Sequence, residues 1–307
     1  MAAAQKGRGF LAFQNPKVAC FINSALQMIT HMDYLFESPE GNEWYMFLRN
    51  LYMSKWTDAD VDVIPNEFVV EKMKKFLPAQ AHYCERQEDA HEFFKHFLDG
   101  MKNDALVDNA LGGKRLYITT CLSCNKQSDR AESFQQFEIN LSAEAADGKA
   151  GSKIVNLSEY FQDLFRTETM EGSNAYECSI CTLADKRIRT TATRKQGILV
   201  YPKYLLFQIL RFISGRKSTE AFGFHHTFLG RSTKLRYELV SVIVHYGASV
   251  LAGHYVCFGR VDNPDGTVGW LSYNDKIVTH ATAQDLTSDL ICENVYMLLY
   301  EHRPLEE

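Results

Sequence analysis

The sequence predicts an α+β fold. Three observations carry that reading. Apolar residues recur at helical spacing up to about residue 112. Short runs of β-branched and aromatic residues follow from Leu116 onward, and two Cys-x-x-Cys pairs interrupt this second part. The chain has 307 residues, 46% of them apolar and 23% charged, which is enough apolar material for a large core. That balance excludes collagen-like, low-complexity and wholly disordered classes. At roughly 150 residues per domain, the length corresponds to two domains or to one large domain with subdivisions.

The first element begins at Cys20, where Ile22, Ala25, Leu26 and Ile29 form one apolar stripe. A second helix is expected over 88–101, because Ala90, Phe93, Phe94, Phe97, Leu98 and Met101 repeat the spacing while Glu92, Lys95 and Asp99 fall on the other side. Gly112-Gly113 breaks the helical pattern. Strands are then expected at Leu116–Thr120, Phe134–Leu141, Ile198–Tyr201, Tyr204–Leu210, Tyr237–His245, His254–Val261 and Val295–Tyr300. Ser142–Lys153, rich in Ala, Gly and Ser, reads as a loop, and Ile213–Gly230 reads as polar and irregular.

The balance of 33 Lys+Arg against 38 Asp+Glu gives a net charge of −5, which argues against nucleic acid as the main partner. Residues 1–10 contain no apolar signal region, and no apolar run reaches the roughly 18 residues that a membrane span needs. The expectation is an intracellular protein, cytoplasmic or nuclear, with no membrane partner. In such reducing surroundings the eight cysteines read as metal ligands, a nucleophile or core residues rather than disulfides.

Cys121, Cys124, Cys178 and Cys181 form the two Cys-x-x-Cys pairs. Each tight turn brings two thiolates within reach of one ion, and two turns supply the four tetrahedral ligands of a closed, structural Zn²⁺ site. The competing readings are a redox dithiol or buried thiols. Cys20 lies where the first helix begins, and the unpaired N–H groups and dipole of a helix N-terminus favour thiolate. His254 follows Gly253 at the start of a strand, and Asn274-Asp275 lies twenty residues further on. Cys, His and Asn/Asp, in that chain order, are what a papain-type thiol protease needs as nucleophile, base and orienter. His225-His226, in a polar loop without neighbouring Cys or Glu, reads as ordinary surface. Cys84, Cys257 and Cys292 read as structural.

With these residues in hand, the chain resembles the ubiquitin-specific proteases, papain-like deubiquitinases. The resemblance rests on Asn15, then Cys20-Phe21-Ile22-Asn23-Ser24-Ala25-Leu26-Gln27, on Gln87-Glu88-Asp89-Ala90-His91-Glu92-Phe93, and on the Cys-x-x-Cys pairs. It also rests on Tyr204 to Phe212, on Tyr237 to His245 with Gly253-His254-Tyr255, and on Trp270 to Val278. The chain departs from the family pattern where Lys17-Val18-Ala19 replaces Gly-Asn-Thr before the cysteine and Ala12 replaces a glycine. Glycine is usual where backbone needs positive φ or close approach.

The resemblance implies one catalytic domain over 1–307, shaped as a hand. The thumb spans 1–112, 113–212 is mainly zinc-tipped β fingers with the first palm strands, and 213–307 is the rest of the palm. It implies that Cys20 attacks the carbonyl after ubiquitin's last glycine, that His254 serves as base and acid, and that Asn274 or Asp275 orients the imidazole. Asn15 would donate to the oxyanion. Gln87, Asp89, Glu92 and Tyr255 would form the channel for ubiquitin's basic tail, and an activating protein partner is possible. Two alternatives stay open: a catalytically silent ubiquitin-binding scaffold, and a protease for another Gly-Gly-ended modifier.

Overall fold

The computed structural model describes residues 9–15, 18–56, 63–78, 86–141, 155–182, 188–213, 216–229, 235–249 and 252–304. Among the described residues, five α-helices come first: α1 (Cys20–Ile29), α2 (Glu43–Trp56), α3 (Asn66–Phe76), α4 (Ala90–Gly100) and α5 (Asp104–Leu111). All ten residues of α1 are buried, so its polar members need internal partners. Gln27 finds two, donating to the Leu11 carbonyl at 2.5 Å and accepting from the buried Lys55 ammonium at 2.8 Å. In α4 the predicted stripe goes inward, with Phe93, Phe94 and Phe97 fully buried. Burial of each such ring contributes about 1.5–3 kcal/mol. The helix starts at Ala90 rather than Glu88 because Asp89 caps it, accepting from the His91 and Glu92 N–H groups at 2.7 and 3.1 Å.

The β-rich part opens with β1 (Gly113–Cys121), β2 (Gln127–Phe134) and β3 (Phe137–Asn140), followed by α6 (Leu157–Leu164). Short pieces β4 (Glu168–Met170), β5 (Tyr176–Glu177) and β6 (Arg189–Thr190) lead to β7 (Ala192–Val200) and β8 (Tyr204–Leu210). The stretch expected to be irregular carries β9 (Phe212–Ile213), β10 (Arg216–Lys217) and β11 (Thr227–Leu229). Then come β12 (Arg236–Ser249), β13 (Ala252–Asp262), β14 (Val268–Asn274), β15 (Ile277–Ala281), α7 (Ala283–Leu286), α8 (Asp289–Cys292) and β16 (Val295–His302). The loop expected at Ser142–Lys153 lies outside the described residues.

Two larger sheets result. Strands β2-β1-β7-β4 form an extended antiparallel sheet that carries the cysteine pairs. The other sheet runs β15-β14-β13-β12-β16-β8-β3, with β11 added on β12. Its strands alternate in which core they enter. Tyr255 and Cys257 of β13, with Met297 and Leu299 of β16, join the cluster that contains α1 and α4. Val256, Phe258, Leu298 and Tyr300 point the other way, into a second cluster with Leu157 and Phe161 of α6. A strand buried on both faces reads as a nearly continuous apolar run, as Tyr204–Leu210 does with Gln208 its one polar member. Helix α1 packs directly on β13 and β12, which sets Cys20 and His254 on facing elements. Among the described residues no helix is long and apolar enough to cross a membrane.

Candidate active site

Cys20 is the first residue of α1 and is buried. Ala19 before it gives no side-chain cap, so the first N–H groups of the helix stay available and the positive end of its dipole faces the thiol. Opposite, His254 bonds Asn274 Oδ1 through Nε2 at 2.7 Å, and Cys20 is near enough to be the chief influence on its protonation. Cys20 most of all, then Asn274 and the nearby Asp275 carboxylate, favour the imidazolium, and the His254 pKa rises to about 9 although burial opposes it. Of the two candidate orienters, Asn274 is the one bonded to the ring. Asp275 Oδ2 stands 3.9 Å from Nε2.

Asp275 instead organises the opposite wall. It sits in the two-residue turn between β14 and β15 with φ 53°, in the left-handed region that Asp tolerates better than most residues. Its Oδ2 accepts from Asn15 Nδ2 at 2.8 Å and its Oδ1 from Asn23 Nδ2 at 2.7 Å. Asn15 Oδ1 accepts from the Ala19 N–H at 2.8 Å. The Asn15 amide is therefore held at both ends, and its nitrogen keeps one hydrogen beyond the Asp275 bond. Asn23 carries no sequence-level role, yet it is the residue that ties α1 to this turn. A second amide at i, i+4 from Gln27 on a mostly apolar helix was the available signal.

The residues expected around the tail lie together at the boundary of α4 and β13, but several are already engaged. Gln87 binds the Gly253 backbone, donating to its carbonyl at 2.7 Å and accepting from its N–H at 2.9 Å. Besides capping α4, the Asp89 carboxylate accepts from the Tyr296 hydroxyl. Glu92 is half exposed beside His96, with 3.5 Å between charged atoms. Tyr255 is buried with its ring against His245, centroids 4.5 Å apart. His245 itself is fully buried, and burial, Lys217 and His254 together push its pKa down to about 4. It is neutral at ordinary pH and forms packing beneath Gly253. Arg211, also fully buried, donates to the carbonyls of Val295, Ser218, Glu220 and Cys292, holding the 216–224 stretch to the sheet.

The four paired cysteines converge. All their sulfurs lie within 4.8 Å of one another, with Cys124–Cys178 at 3.6 Å and Cys121–Cys181 at 3.9 Å. Four thiolates about 2.3 Å from one ion in a tetrahedron are about 3.8 Å apart, so the cluster has the dimensions to hold a metal ion. The sequence gap is bridged because β1 pairs with β7 and the β5–β6 ribbon carries the second knuckle to the same end. Asn125, at φ 57°, closes the first knuckle. Cys257 is buried and Cys292 partly exposed, apart from this cluster, while Cys84 lies outside the described residues. His226 bonds the Ala283 carbonyl at 3.1 Å, and among the described residues neither it nor His225 joins a metal-ligand cluster.

A thiol at a helix N-terminus, facing a strand-borne imidazole across an α+β interface, defines the class of papain-like thiol-hydrolase folds. The chain belongs to the ubiquitin carboxyl-terminal hydrolase family, whose sequence profile matches residues 11–300. It is 24% identical over 334 residues to Ubiquitin carboxyl-terminal hydrolase 25 of Arabidopsis thaliana, covering 94% of this chain and 47% of that protein. It is 24% identical over 319 residues to Ubiquitin carboxyl-terminal hydrolase 42 of Homo sapiens, covering 94% of this chain and 22% of that protein. The chain thus spans about half or less of these relatives. Among solved structures, it matches a chain of the SAGA Ubp8/Sgf11/Sus1/Sgf73 DUB module bound to ubiquitin aldehyde, with TM-score 0.74 and 18% identity. That match covers 100% of this chain and 72% of the other, and it establishes the shared α+β hand with the four-cysteine cluster in its fingers.

Proposed function

We propose that the chain is the catalytic domain of a thiol-dependent deubiquitinase that cleaves the peptide or isopeptide bond after ubiquitin's C-terminal glycine. The carrying observation is His254, bonded to Asn274 and raised in pKa chiefly by Cys20, with Asn15 fixed beside it. With Nε2 committed to Asn274, His254 Nδ1 is the nitrogen left for the thiol proton. The Cys20 sulfur attacks the carbonyl carbon, the negative charge on oxygen meets the spare Asn15 N–H and the α1 N–H groups, and the C–N bond breaks as the imidazolium protonates the leaving amine. Water then releases the thioester. In this reading the 1–112 thumb and the 213–307 palm meet at the site. Glu92 offers the tail's basic residues an accessible carboxylate, while Gln87, Asp89 and Tyr255 shape the channel from behind. The four-cysteine cluster holds a structural Zn²⁺ that fixes the finger tip; its thiolates leave no open position, which suits structure and not catalysis. Ubiquitin carrying a thiol-reactive C-terminus tests the reading. Covalent capture that disappears in Cys20→Ala supports it, and absence of capture by folded wild-type protein overturns it.

A further inference from the structure

Asn15 and Asn274 border more than the catalytic contacts. Together with Gln14, Asp275, Lys276 and Ile277 they line a cavity of about 350 Å³, within the ~300–1,000 Å³ range typical of ligand sites. The chemistry described above does not use Gln14, Lys276 or Ile277. Ile277 leaves 54% of its surface exposed, an apolar side chain at the very start of β15. Lys276 is exposed at the tip of the β14–β15 turn. The one carboxylate in the wall, Asp275, has its two oxygens taken by Asn15 and Asn23. The lining therefore offers an incoming chain amide donors, one apolar face and the Lys276 ammonium, which has no ion pair among the described residues.

A leaving amine must come within about 2.6–3.2 Å of the imidazole that protonates it. It must also be attached to the carbon whose oxygen meets Asn15. The tail of the acyl donor is assigned to the α4–β13 boundary, where Gln87 and Gly253 meet. This cavity has both Asn15, the oxyanion donor of the deubiquitinase reading, and Asn274, the residue that holds the His254 ring, in its wall, so it opens beside the reacting groups without containing Cys20 or His254. We propose that it is the leaving-group subsite, which receives the polypeptide stretch bearing the isopeptide-linked lysine. Ile277 packs on that lysine's aliphatic stem, and Lys276 selects a carboxylate in a neighbouring position. The assignment rests on the deubiquitinase reading and adds to it a preference for acidic surroundings of the modified lysine.

The test compares three substrates: ubiquitin–aminomethylcoumarin, whose leaving group has no flanking residues, and two ubiquitin–peptide isopeptide conjugates with either Asp or Arg beside the acceptor lysine. An exposed ion pair is worth a factor of about two to five, so wild-type kcat/KM should favour the Asp conjugate by that much. The preference should shrink toward unity in about 0.5 M salt, where exposed charges are screened. Lys276→Glu should invert it, and Ile277→Ser should raise KM for both conjugates relative to the coumarin substrate. Because each ratio is taken within one protein, altered expression or overall activity does not enter it. Equal rates on the two conjugates by a wild type that cleaves the coumarin substrate overturn the subsite alone, as does a ratio unmoved by Lys276→Glu. Failure of the wild type to cleave the coumarin substrate overturns the deubiquitinase reading beneath it.

Discussion

Gln87 and Gly253 satisfy each other twice, the side-chain amide of one closing a ring with the backbone N–H and C=O of the other at 2.9 and 2.7 Å. The pair joins the residue before His254 to the start of α4. On its other face Gly253 has no room for a side chain: a Cβ there would lie 2.3 Å from His245 Nε2 and 2.5 Å from the Tyr246 carbonyl oxygen. The backbone that presents His254 is therefore clamped between an amide and a neutral imidazole.

Gln87→Ala removes the clamp. Two hydrogen bonds of about 0.5–1.5 kcal/mol net each set the scale, so kcat should fall about 5- to 150-fold if the bonds act by placing His254. Gln87→Glu keeps an acceptor for the Gly253 N–H but sets a carboxylate oxygen against the Gly253 carbonyl, and it should not restore activity. Steady-state kinetics beside a thermal melt decide the matter. A lowered melting temperature with unchanged kcat would make the clamp structural only.

Asn15→Ala should lower kcat by about 10²–10³ with little change in KM, the usual cost of one oxyanion donor. Asp275→Ala should approach that loss, because it releases the Asn15 amide rather than deleting it. If Asp275 acts through Asn15, the double variant should cost little more than Asn15→Ala alone. Additive losses would show that Asp275 acts directly on His254 across the 3.9 Å gap.

The fold class and the cysteine knuckles were legible in the sequence because each leaves a local trace, whereas Cys20 and His254 were singled out only by the order of several motifs along the chain. Helical stripes mark α1 and α4, an apolar run marks β8, and paired cysteines mark the knuckles. Strand β2 left none. Gln127 to Phe134 is polar and exposed along nearly its whole length, and it is held by register with β1 rather than by a buried face. The division of labour between Asn274 and Asp275 was equally hidden. Adjacent residues in a two-residue turn point to different partners, and only the turn's backbone, with Asp275 at φ 53°, decides which meets the ring. Gln87 and Asp89 read as polar groups free to meet a substrate, yet their partners, Gly253 and Tyr296, lie 166 and 207 positions away.

The His254 pKa of about 9 makes a statement about pH. A thiolate–imidazolium pair needs the proton on the ring, so kcat/KM should hold through neutral pH and fall along an alkaline limb centred near 9. The Asn274 bond is one of the influences that raise this value. Asn274→Ala removes a contact that favours the charged ring, which lowers the pKa, so the limb should move toward neutral pH. Asn15→Ala, whose side chain does not touch the ring, should lower the rate without moving the limb. A limb that stays fixed in Asn274→Ala would separate that asparagine from the titration of His254.

The cysteine cluster should govern the fingers without governing the nucleophile. Its sulfurs sit at the end of the β2-β1-β7-β4 sheet, whereas Cys20 and His254 meet on the larger sheet that β12 and β13 centre. Freshly purified protein should carry about one zinc per chain, and Cys124→Ser should lose most of it, since three thiolates no longer close the tetrahedron. Structural zinc in small finger domains supplies about 10–16 kcal/mol of apparent binding energy, but only part of that passes to a sheet already held by β1–β7 pairing. A loss of about 2 kcal/mol or more would lower the melting temperature by at least about 4–8 °C at roughly 2–4 °C per kcal/mol. Alkylation of Cys20 by iodoacetamide should keep its rate, while KM for ubiquitin substrates rises as the finger tip loses its shape. Slowed alkylation with intact ubiquitin binding would reverse the assignment and tie the cluster to the active site.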